Sequence, residues 1–291
     1  MEFPEPFMLI RPTGDGVSPV VFNSPHSGAT YPDSFVAATR LGRTALRRSE
    51  DSFVDELFSG CMAAGIPLLH AVFPRAYVDV NREPYELDPT MFDGRLPPFS
   101  NTRSMRVAGG LGTIARIVAD NEEIYSTRLP VRTALQRIDA CYKPYHAKLK
   151  ALIDLACDTH DYAILIDCHS MPSQSSGGDD RARPDFVLGD RYGTSCTNAI
   201  ADTVQRALRA MGYTVTRNKP YAGGYITERY GRPRFGRHAL QIEVNRALYM
   251  DEARFEKTAG FVPLRDNLTA LAAMIVDLPA DWLRPMQSAA E

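Results

Sequence analysis

Short apolar runs alternate along most of the chain with longer segments of helical spacing. The apolar runs predict strands at residues 20–23, 66–72, 76–80, 162–167, 186–188, 213–216 and 239–244. Helical spacing predicts helices at residues 53–62, 128–159, 195–211 and 258–277, with a stop at Gly65 and a kink or break at Pro144. Strands that alternate with helices predict an α/β fold, in which a mixed, mostly parallel sheet is flanked by helices.

Two segments follow neither pattern. Residues 88–112 are rich in proline, glycine, asparagine and arginine, which predicts an excursion over the surface. Residues 173–183 consist mostly of glycine and short polar or charged side chains. They predict a flexible loop that is a candidate lid.

Two histidines share an unusual local setting. His26 and His169 each follow a predicted strand, in turns with the sequences Ser-Pro-His-Ser-Gly and Asp-Cys-His-Ser. Open α/β sheets bind ligands at the carboxyl ends of their strands, so we expect the two imidazoles to meet there. A catalytic zinc ion takes about three protein ligands and keeps one position open. The pair therefore indicates a metal site, and the alternative is two histidines that only hydrogen-bond within their turns.

A third ligand would be a carboxylate or another histidine. Glu50 and Asp51 precede the helix predicted at 53–62, where acidic side chains often do no more than stabilise the helix N-terminus. Local chemistry alone therefore favours a structural role for both. The other histidines lie in helices, exposed-looking stretches or an arginine-rich loop and are interpreted as structural or surface residues: His70, His146, His160 and His238.

Residues 240–245 alternate strictly between apolar and polar side chains. The apolar residues share one face of the predicted strand, whereas Glu243 lies on the other face with Gln241 and Asn245. A carboxylate inside a central strand is costly to bury without a partner or a task. Glu243 is therefore a candidate general base, and the alternative is a structural ion pair with Arg246 or another arginine.

Arginines stand at both ends of the strand predicted at 76–80, in the sequence Pro-Arg-Ala-Tyr-Val-Asp-Val-Asn-Arg. Arg75 and Arg82 suit a substrate carboxylate or a developing oxyanion, because guanidinium presents a fork of hydrogen-bond donors. Single arginines are usually surface residues. Two that bracket one strand beside Asn81 favour an anionic ligand.

Composition narrows the classes of partner. Of 291 residues, 44% are apolar and 23% charged, which is enough apolar sequence for a full core. The net charge of −2 argues against nucleic acid and membranes as partners, and no apolar run reaches the ~20 residues of a membrane span. The first residues lack the features of a secretory signal, and five scattered cysteines favour reduced thiols. A cytoplasmic protein of undetermined oligomeric state is expected.

Seven motifs follow one another through nearly the whole chain. They are Asn-Ser-Pro-His-Ser-Gly at 23–28, Glu-Asp-Ser-Phe-Val-Asp-Glu-Leu-Phe at 50–58, Pro-Arg-Ala-Tyr-Val-Asp-Val-Asn-Arg-Glu-Pro at 74–84, Ile-Asp-Cys-His-Ser-Met-Pro at 166–172, Asp-Phe-Val-Leu-Gly-Asp-Arg at 185–191, Asn-Lys-Pro-Tyr-Ala-Gly-Gly-Tyr at 218–225 and Gln-Ile-Glu-Val-Asn-Arg-Ala-Leu-Tyr-Met-Asp at 241–251. Together they resemble the N-formylglutamate amidohydrolase family. The resemblance implies one domain over residues 1–291, similar in fold to zinc carboxypeptidases and aspartoacylases, with one catalytic zinc ion.

The resemblance also implies roles for single residues. The implied metal ligands are His26, Asp51 and His169. Glu243 is implied to be the general base, and Arg75 resembles the arginine that polarises the substrate carbonyl. Carboxypeptidase-like enzymes carry a metal-binding glutamate three residues after the first histidine, where this chain has Ala29. Asp51 therefore takes that place by resemblance, with Glu50 as the open alternative.

Substrate contacts are implied for Asn81, Arg82 and Tyr221. The implied reaction is hydrolysis of N-formyl-L-glutamate to formate and L-glutamate, the last step of a histidine degradation route. Alternatives are a related hydrolase of another N-acyl amino acid and a non-catalytic relative that binds acidic metabolites. A substrate with two carboxylates needs a second arginine, expected in the predicted loop that carries Arg229, Arg232, Arg234 and Arg237.

Overall fold

The computed structural model describes residues 2–14, 16–118, 121–174 and 183–285. The chain divides into two compact units, each drawn from separate stretches of sequence. The first consists of Met1–Met8, Pro25–Ser52 and His70–Lys148. The second consists of Leu9–Ser24, Phe53–Leu69 and Leu149–Glu291. That residues 1–291 form one domain stays a prediction.

The strands of the described residues are, in chain order, β1 (Phe7–Ile10), β2 (Val20–Ser24), β3 (Leu68–Ala71), β4 (Phe92–Asp93), β5 (Leu129–Pro130), β6 (Ala163–Met171), β7 (Phe186–Gly189), β8 (Val215–Arg217), β9 (Arg237–Asn245), β10 (Met250–Asp251) and β11 (Glu256–Lys257). Seven of them form one sheet in the order β1-β3-β2-β6-β9-β7-β8. β6 runs parallel to both β2 and β9, and β8 runs parallel to β7. β7 runs antiparallel to β9. The predicted mixed, mostly parallel sheet is confirmed.

The α-helices of the same residues are α1 (Asp33–Ala38), α2 (Arg43–Arg47), α3 (Val54–Phe58), α4 (Met105–Ala108), α5 (Val131–Arg137), α6 (Lys143–His160), α7 (Asn198–Ala210), α8 (Tyr225–Tyr230) and α9 (Phe261–Val276). None of them is both long and apolar enough to cross a membrane. The helix predicted at 53–62 divides into α3 and a 3-10 helix over Ser59–Ala64, which Gly65 ends with a φ of 76°. Such left-handed backbone favours glycine, so the predicted stop is confirmed.

The long helix predicted at 128–159 has an internal irregularity. A π-helical turn over Ile138–Tyr142 joins α5 to α6, and Pro144 is the second residue of α6. Proline has no N–H to donate to the carbonyl four residues earlier. The helical chain continues through Pro144, and the irregularity is the π turn directly before α6 rather than a break.

The core of the second unit lies on one face of β2, β6 and β9. Phe22, Ile166 and Ile242 belong to a buried cluster that also contains apolar residues of α3, α7 and α9. Burial of side chains of this size stabilises a fold by about 1.5–3 kcal/mol each. The opposite side of the same strands carries polar residues, as the alternation around Glu243 predicts.

Two predictions about strands near the candidate site are wrong. Residues 76–80 form turns and irregular chain rather than a strand, since Tyr77 N–H bonds Pro74 O at 2.9 Å and Asp79 N–H bonds Thr113 O at 2.8 Å. Val78 and Val80 are buried without strand pairing, so this apolar run does not belong to the sheet. Arg75 and Arg82 therefore do not bracket a strand.

The second wrong prediction concerns the C-terminal end of β6. The strand continues past residue 167, because Ser170 and Met171 still pair with Val244 and Asn245 of β9. His169 consequently lies within the strand and not in a turn after it. In the candidate lid at 173–183, residues 175–182 lie outside the described residues.

Candidate metal centre and catalytic residues

His26 lies two residues after β2 and is 1% exposed. Its carbonyl accepts the Asp51 N–H at 3.0 Å, which ties the two segments together. Gly28 allows the chain to pass close to residues 72–73, since an added Cβ would stand 2.2 Å from Phe73 O. The Nδ1 atom of His26 lies 3.5 Å from Asp51 Oδ2. A buried imidazole and a buried carboxylate thus face each other.

The other ring nitrogen of His26 faces Asp79. Nε2 lies 2.7 Å from Asp79 Oδ1, which also accepts the Asn81 N–H at 2.8 Å. Nη2 of Arg75 donates to Asp79 Oδ2 at 2.8 Å, and Nη2 of Arg82 lies 3.6 Å from it. Burial alone would raise the pKa of Asp79, but Arg75, Arg82 and His26 outweigh it and hold that pKa well below its usual range. The ionised Asp79 accepts only, so His26 carries its proton on Nε2.

Sequence reasoning missed Asp79. It lies between two apolar residues, Val78 and Val80, and all three are buried. A carboxylate inside an apolar run was the signal that identified Glu243, and it was equally present here. The arginines on either side drew attention to anionic ligands instead of to their own buried carboxylate.

Glu50 is engaged by structural contacts of its own. Its carboxylate accepts from Tyr31 Oη at 2.6 Å, from Arg47 Nε at 3.1 Å and from Ser52 Oγ at 2.8 Å. Asp51, by contrast, faces His26. Of the two acidic neighbours, Asp51 is the one placed to bind a metal.

His169 belongs to the polar face of β6. Neighbouring Ile166 and Cys168 enter the buried apolar cluster, whereas Asp167 and His169 alternate with them and point the other way. Nε2 of His169 lies 3.0 Å from Asp167 Oδ2. The other oxygen of Asp167 accepts from Asn23 Nδ2 at 2.6 Å. Asp167, like Asp79, is a carboxylate beside a candidate histidine, and sequence reasoning did not single it out.

Glu243 stands next to His169 across the sheet. The two residues are register partners in the parallel pair β6–β9, whose strands lie about 4.8 Å apart. The Glu243 side chain accepts from Gln241 Nε2 at 2.8 Å and is 7% exposed. Arg246, the alternative partner considered for Glu243, donates from Nε to Ser170 Oγ at 3.1 Å.

Three of the residues predicted from the sequence form a group that could hold a metal ion. One ligand atom each from His26, Asp51 and His169 lies within 4.8 Å of the others, and all three residues are buried. Two imidazole nitrogens and one carboxylate oxygen are a donor set that zinc accepts, with a fourth position left open. Asp79 adds an outer carboxylate of the kind that commonly orients a metal-binding histidine. These residues fit a divalent metal ion.

Arg82 is partly buried and already makes several contacts. Its Nε donates to Leu111 O at 2.8 Å and its Nη1 to Asn81 O at 2.9 Å. Burial lowers the pKa of Arg82 to about 10, so it stays protonated at neutral pH. A guanidinium has five N–H donors, so these two bonds and the ion pair with Asp79 do not exhaust it. Arg75 shares Asp79 with it, on the less buried side.

The arginines considered for the second carboxylate lie in residues 229–237. That segment comprises the end of α8, a 3-10 helix over Pro233–Phe235 and the start of β9. Arg237 is the first residue of β9, six positions before Glu243, which corresponds to roughly 20 Å along a strand. It pairs with Asp154 at 2.8 Å, and Arg229 donates to Tyr225 Oη at 3.0 Å. Residues 231–236 connect α8 to β9. Arg237 lies too far away to act beside Glu243.

A different arginine lies at the carboxyl end of β9. Asn245 Nδ2 donates to Pro184 O at 3.3 Å, which places Arg183 beside that strand end. Nη1 of Arg183 donates to Tyr221 Oη at 3.1 Å. In the part of the chain that the structure describes, no carboxylate pairs with Arg183. Sequence reasoning selected Tyr221 and missed Arg183, which is the last residue of the candidate lid at 173–183.

The chain is similar to known proteins. Residues 18–250 match the family model described as N-formylglutamate amidohydrolase. N-formylglutamate deformylase of Pseudomonas putida is 28% identical over 243 residues, covering 81% of this chain and 84% of that protein. Its counterpart from Pseudomonas aeruginosa is 26% identical over 266 residues, covering 90% and 92%.

Two solved structures are also similar. The crystal structure of N-formylglutamate amidohydrolase from Ralstonia eutropha JMP134 matches with a TM-score of 0.87 and 38% identity, over 94% of this chain and 97% of that one. A gene product of Agrobacterium tumefaciens matches with a TM-score of 0.67 and 17% identity, over 93% and 94%. The second likeness concerns the fold alone.

Proposed function

Because the chain belongs to the N-formylglutamate amidohydrolase family, we propose that it hydrolyses N-formyl-L-glutamate to formate and L-glutamate with one bound zinc ion. The observation that carries the proposal is the buried set of His26, Asp51 and His169, with Glu243 as the cross-strand neighbour of His169. This reaction would close a histidine degradation route, in the cytoplasm.

The chemistry divides between the metal and the chain. A bound zinc ion lowers the pKa of water and polarises a carbonyl oxygen. Glu243 takes the proton from the attacking water and then gives it to the departing amine. Arg75 stabilises the negative charge that develops on the formyl oxygen. Asp79 holds the His26 ring in the orientation that binding requires.

The substrate carries two carboxylates, and we assign one cationic group to each. Arg82 and Asn81 bind the α-carboxylate, as the resemblance implies. Arg183 and Tyr221 bind the side-chain carboxylate. Tyr221 Oη accepts from Arg183 at 3.1 Å, so its own proton remains to be donated. An O–H donor beside a guanidinium is a natural carboxylate site.

Three substrates test the proposal. Formate release is compared for N-formylglutamate, N-formylglutamine and N-formylmethionine, with zinc supplied and with Glu243→Gln as the base-free reference. We expect kcat/KM for N-formylglutamate to exceed that of the neutral analogue by at least about tenfold, since an arginine would otherwise go unpaired. Equal rates within a few-fold would replace the proposal with a broader N-acyl amino acid hydrolase. Binding of N-formylglutamate without formate release would indicate a metabolite-binding protein.

A further inference from the structure

Gln241 makes a buried hydrogen-bond relay behind the proposed general base. It lies two residues before Glu243 in β9, on the same polar face, and is 4% exposed. Its Nε2 donates to Glu243 Oε1 at 2.8 Å. Its Oε1 accepts the Gly224 N–H at 2.7 Å. The side-chain amide of Gln241 is therefore used at both ends.

The Gly224 backbone fixes the direction of this relay. A backbone N–H can only donate, so the end of the Gln241 amide that faces Gly224 has to be the oxygen. The NH₂ group then points at Glu243. A flipped amide would place two donors against each other at Gly224, and the Glu243 carboxylate would meet an oxygen.

Gly224 is itself held in place. It is the residue directly before α8, and the adjacent Gly223 has a φ of +115°. Gly189, the register partner of Gln241 in β7, has no room for a side chain, since an added Cβ would stand 2.6 Å from Gly223 N. The close approach of two glycine backbones thus sets the position of the Gly224 N–H. That position is transmitted to Glu243 through one amide.

We propose that Gln241 is a positioning residue for Glu243, which it holds by Oε1 so that proton transfer occurs at Oε2. The inference rests on the proposed function, because it assumes that Glu243 is the base. A carboxylate that rotates freely reaches the reacting geometry less often. Loss of the Gln241 donor therefore lowers kcat and leaves substrate binding unchanged.

A double-mutant cycle on kcat tests the proposal. Gln241→Met keeps the volume of the side chain and removes both hydrogen bonds. We expect kcat to fall about 10–100-fold, a part of the ~10²–10⁴ that a general base contributes, while KM and zinc content change less than about twofold. In the Glu243→Gln background, the same replacement should change the residual kcat less than about twofold, since no base is left to position.

A second pair of variants guards against misfolding. Gln241→Glu keeps the acceptor for Gly224 and removes the donor to Glu243, so kcat should fall at least as far as in the methionine variant. Combined with Glu243→Gln, it restores a donor–acceptor pair in the reverse direction, and the protein should fold, bind zinc and remain without a base. Thermal unfolding and zinc content are measured for each.

The outcomes separate the two claims. An equal loss of kcat from Gln241→Met in both backgrounds, or a loss that appears in KM alone, would overturn the positioning role. Near-normal kcat in Glu243→Gln would contradict the assignment of the base and the role of Gln241 with it. If N-formylglutamate is not hydrolysed but another N-formyl amino acid is, the substrate proposal fails and the cycle is run on that substrate.

Discussion

Replacing Asp79 by asparagine is expected to weaken metal binding, although Asp79 is not among the proposed ligands. Oδ1 of the carboxylate lies 2.7 Å from His26 Nε2, and the other oxygen faces the guanidinium groups of Arg75 and Arg82. Asparagine has the same shape but no charge, and its NH₂ group meets donors whichever way it turns. Loss of such an outer partner of a metal-binding histidine typically weakens metal affinity 10–100-fold, or about 1.4–2.7 kcal/mol.

Stability should fall in the same variant, because the two arginines lose their buried counter-charge. Breaking a buried ion pair on one side typically costs about 3–5 kcal/mol. Asp88→Asn is the matched control. Asp88 is also buried, pairs with Arg116 Nε at 3.0 Å and accepts the Thr90 N–H at 2.9 Å. It should lose stability without losing zinc affinity.

Zinc affinity is measured by competition with a chelator, and stability by thermal unfolding of the metal-free protein. We expect Asp79→Asn to bind zinc at least tenfold more weakly than Asp88→Asn. If the wild type and both variants agree within twofold, Asp79 does not orient His26 for metal binding.

Three further predictions follow from other parts of the molecule. Arg183→Ala should lower kcat/KM for N-formylglutamate about 30-fold or more, as expected for a charge-assisted pair, while N-formylglutamine and the control Arg234→Ala change little. Acid stability should depend on Asp190. Burial would raise its pKa, but Arg217 and Asn218 outweigh this and lower the pKa. The contribution of Asp190 to folding stability is complete above the pKa of the unfolded chain, ~3.9, and is lost as the pH falls through the lower pKa of the folded protein. Asp190→Asn should therefore flatten the pH dependence of the urea unfolding midpoint between about pH 2 and 4. Alkylation at pH 7.5 should spare the buried Cys61 and Cys141, because burial raises the pKa of each thiol to about 12. It should label the half-buried Cys157 first. Rapid labelling of either buried thiol would contradict the packing.

The sequence predicted best those elements in which apolar and polar side chains repeat with one clear period. Ile242 and its apolar neighbours alternate with polar residues in a strand that lies between two others, so period and burial agree. The segment at 76–80 is apolar apart from Asp79, but it is buried without a partner strand. An apolar run reports which side chains are buried and not whether the backbone pairs.

The candidate site divides in a similar way. His26 and His169 were recognisable because each follows an apolar run in a similar local setting. Glu243 was recognisable because a carboxylate inside a central strand is costly to bury. Asp79 and Asp167 act on those residues across 53 and two positions of sequence respectively, and nothing in their local pattern names the histidine that each contacts. The choice between Glu50 and Asp51 needed the contacts of Tyr31 and Arg47, which only the folded chain brings to Glu50.

We propose that His26, Asp51 and His169 bind one metal ion that the hydrolysis of N-formylglutamate requires. A titration of metal-stripped protein with zinc, in which formate release is followed at each addition, tests this directly. We expect a rise that stops at one equivalent of zinc per chain, and no rise in His169→Ala. Full activity of the stripped wild-type protein before any zinc is added would contradict it.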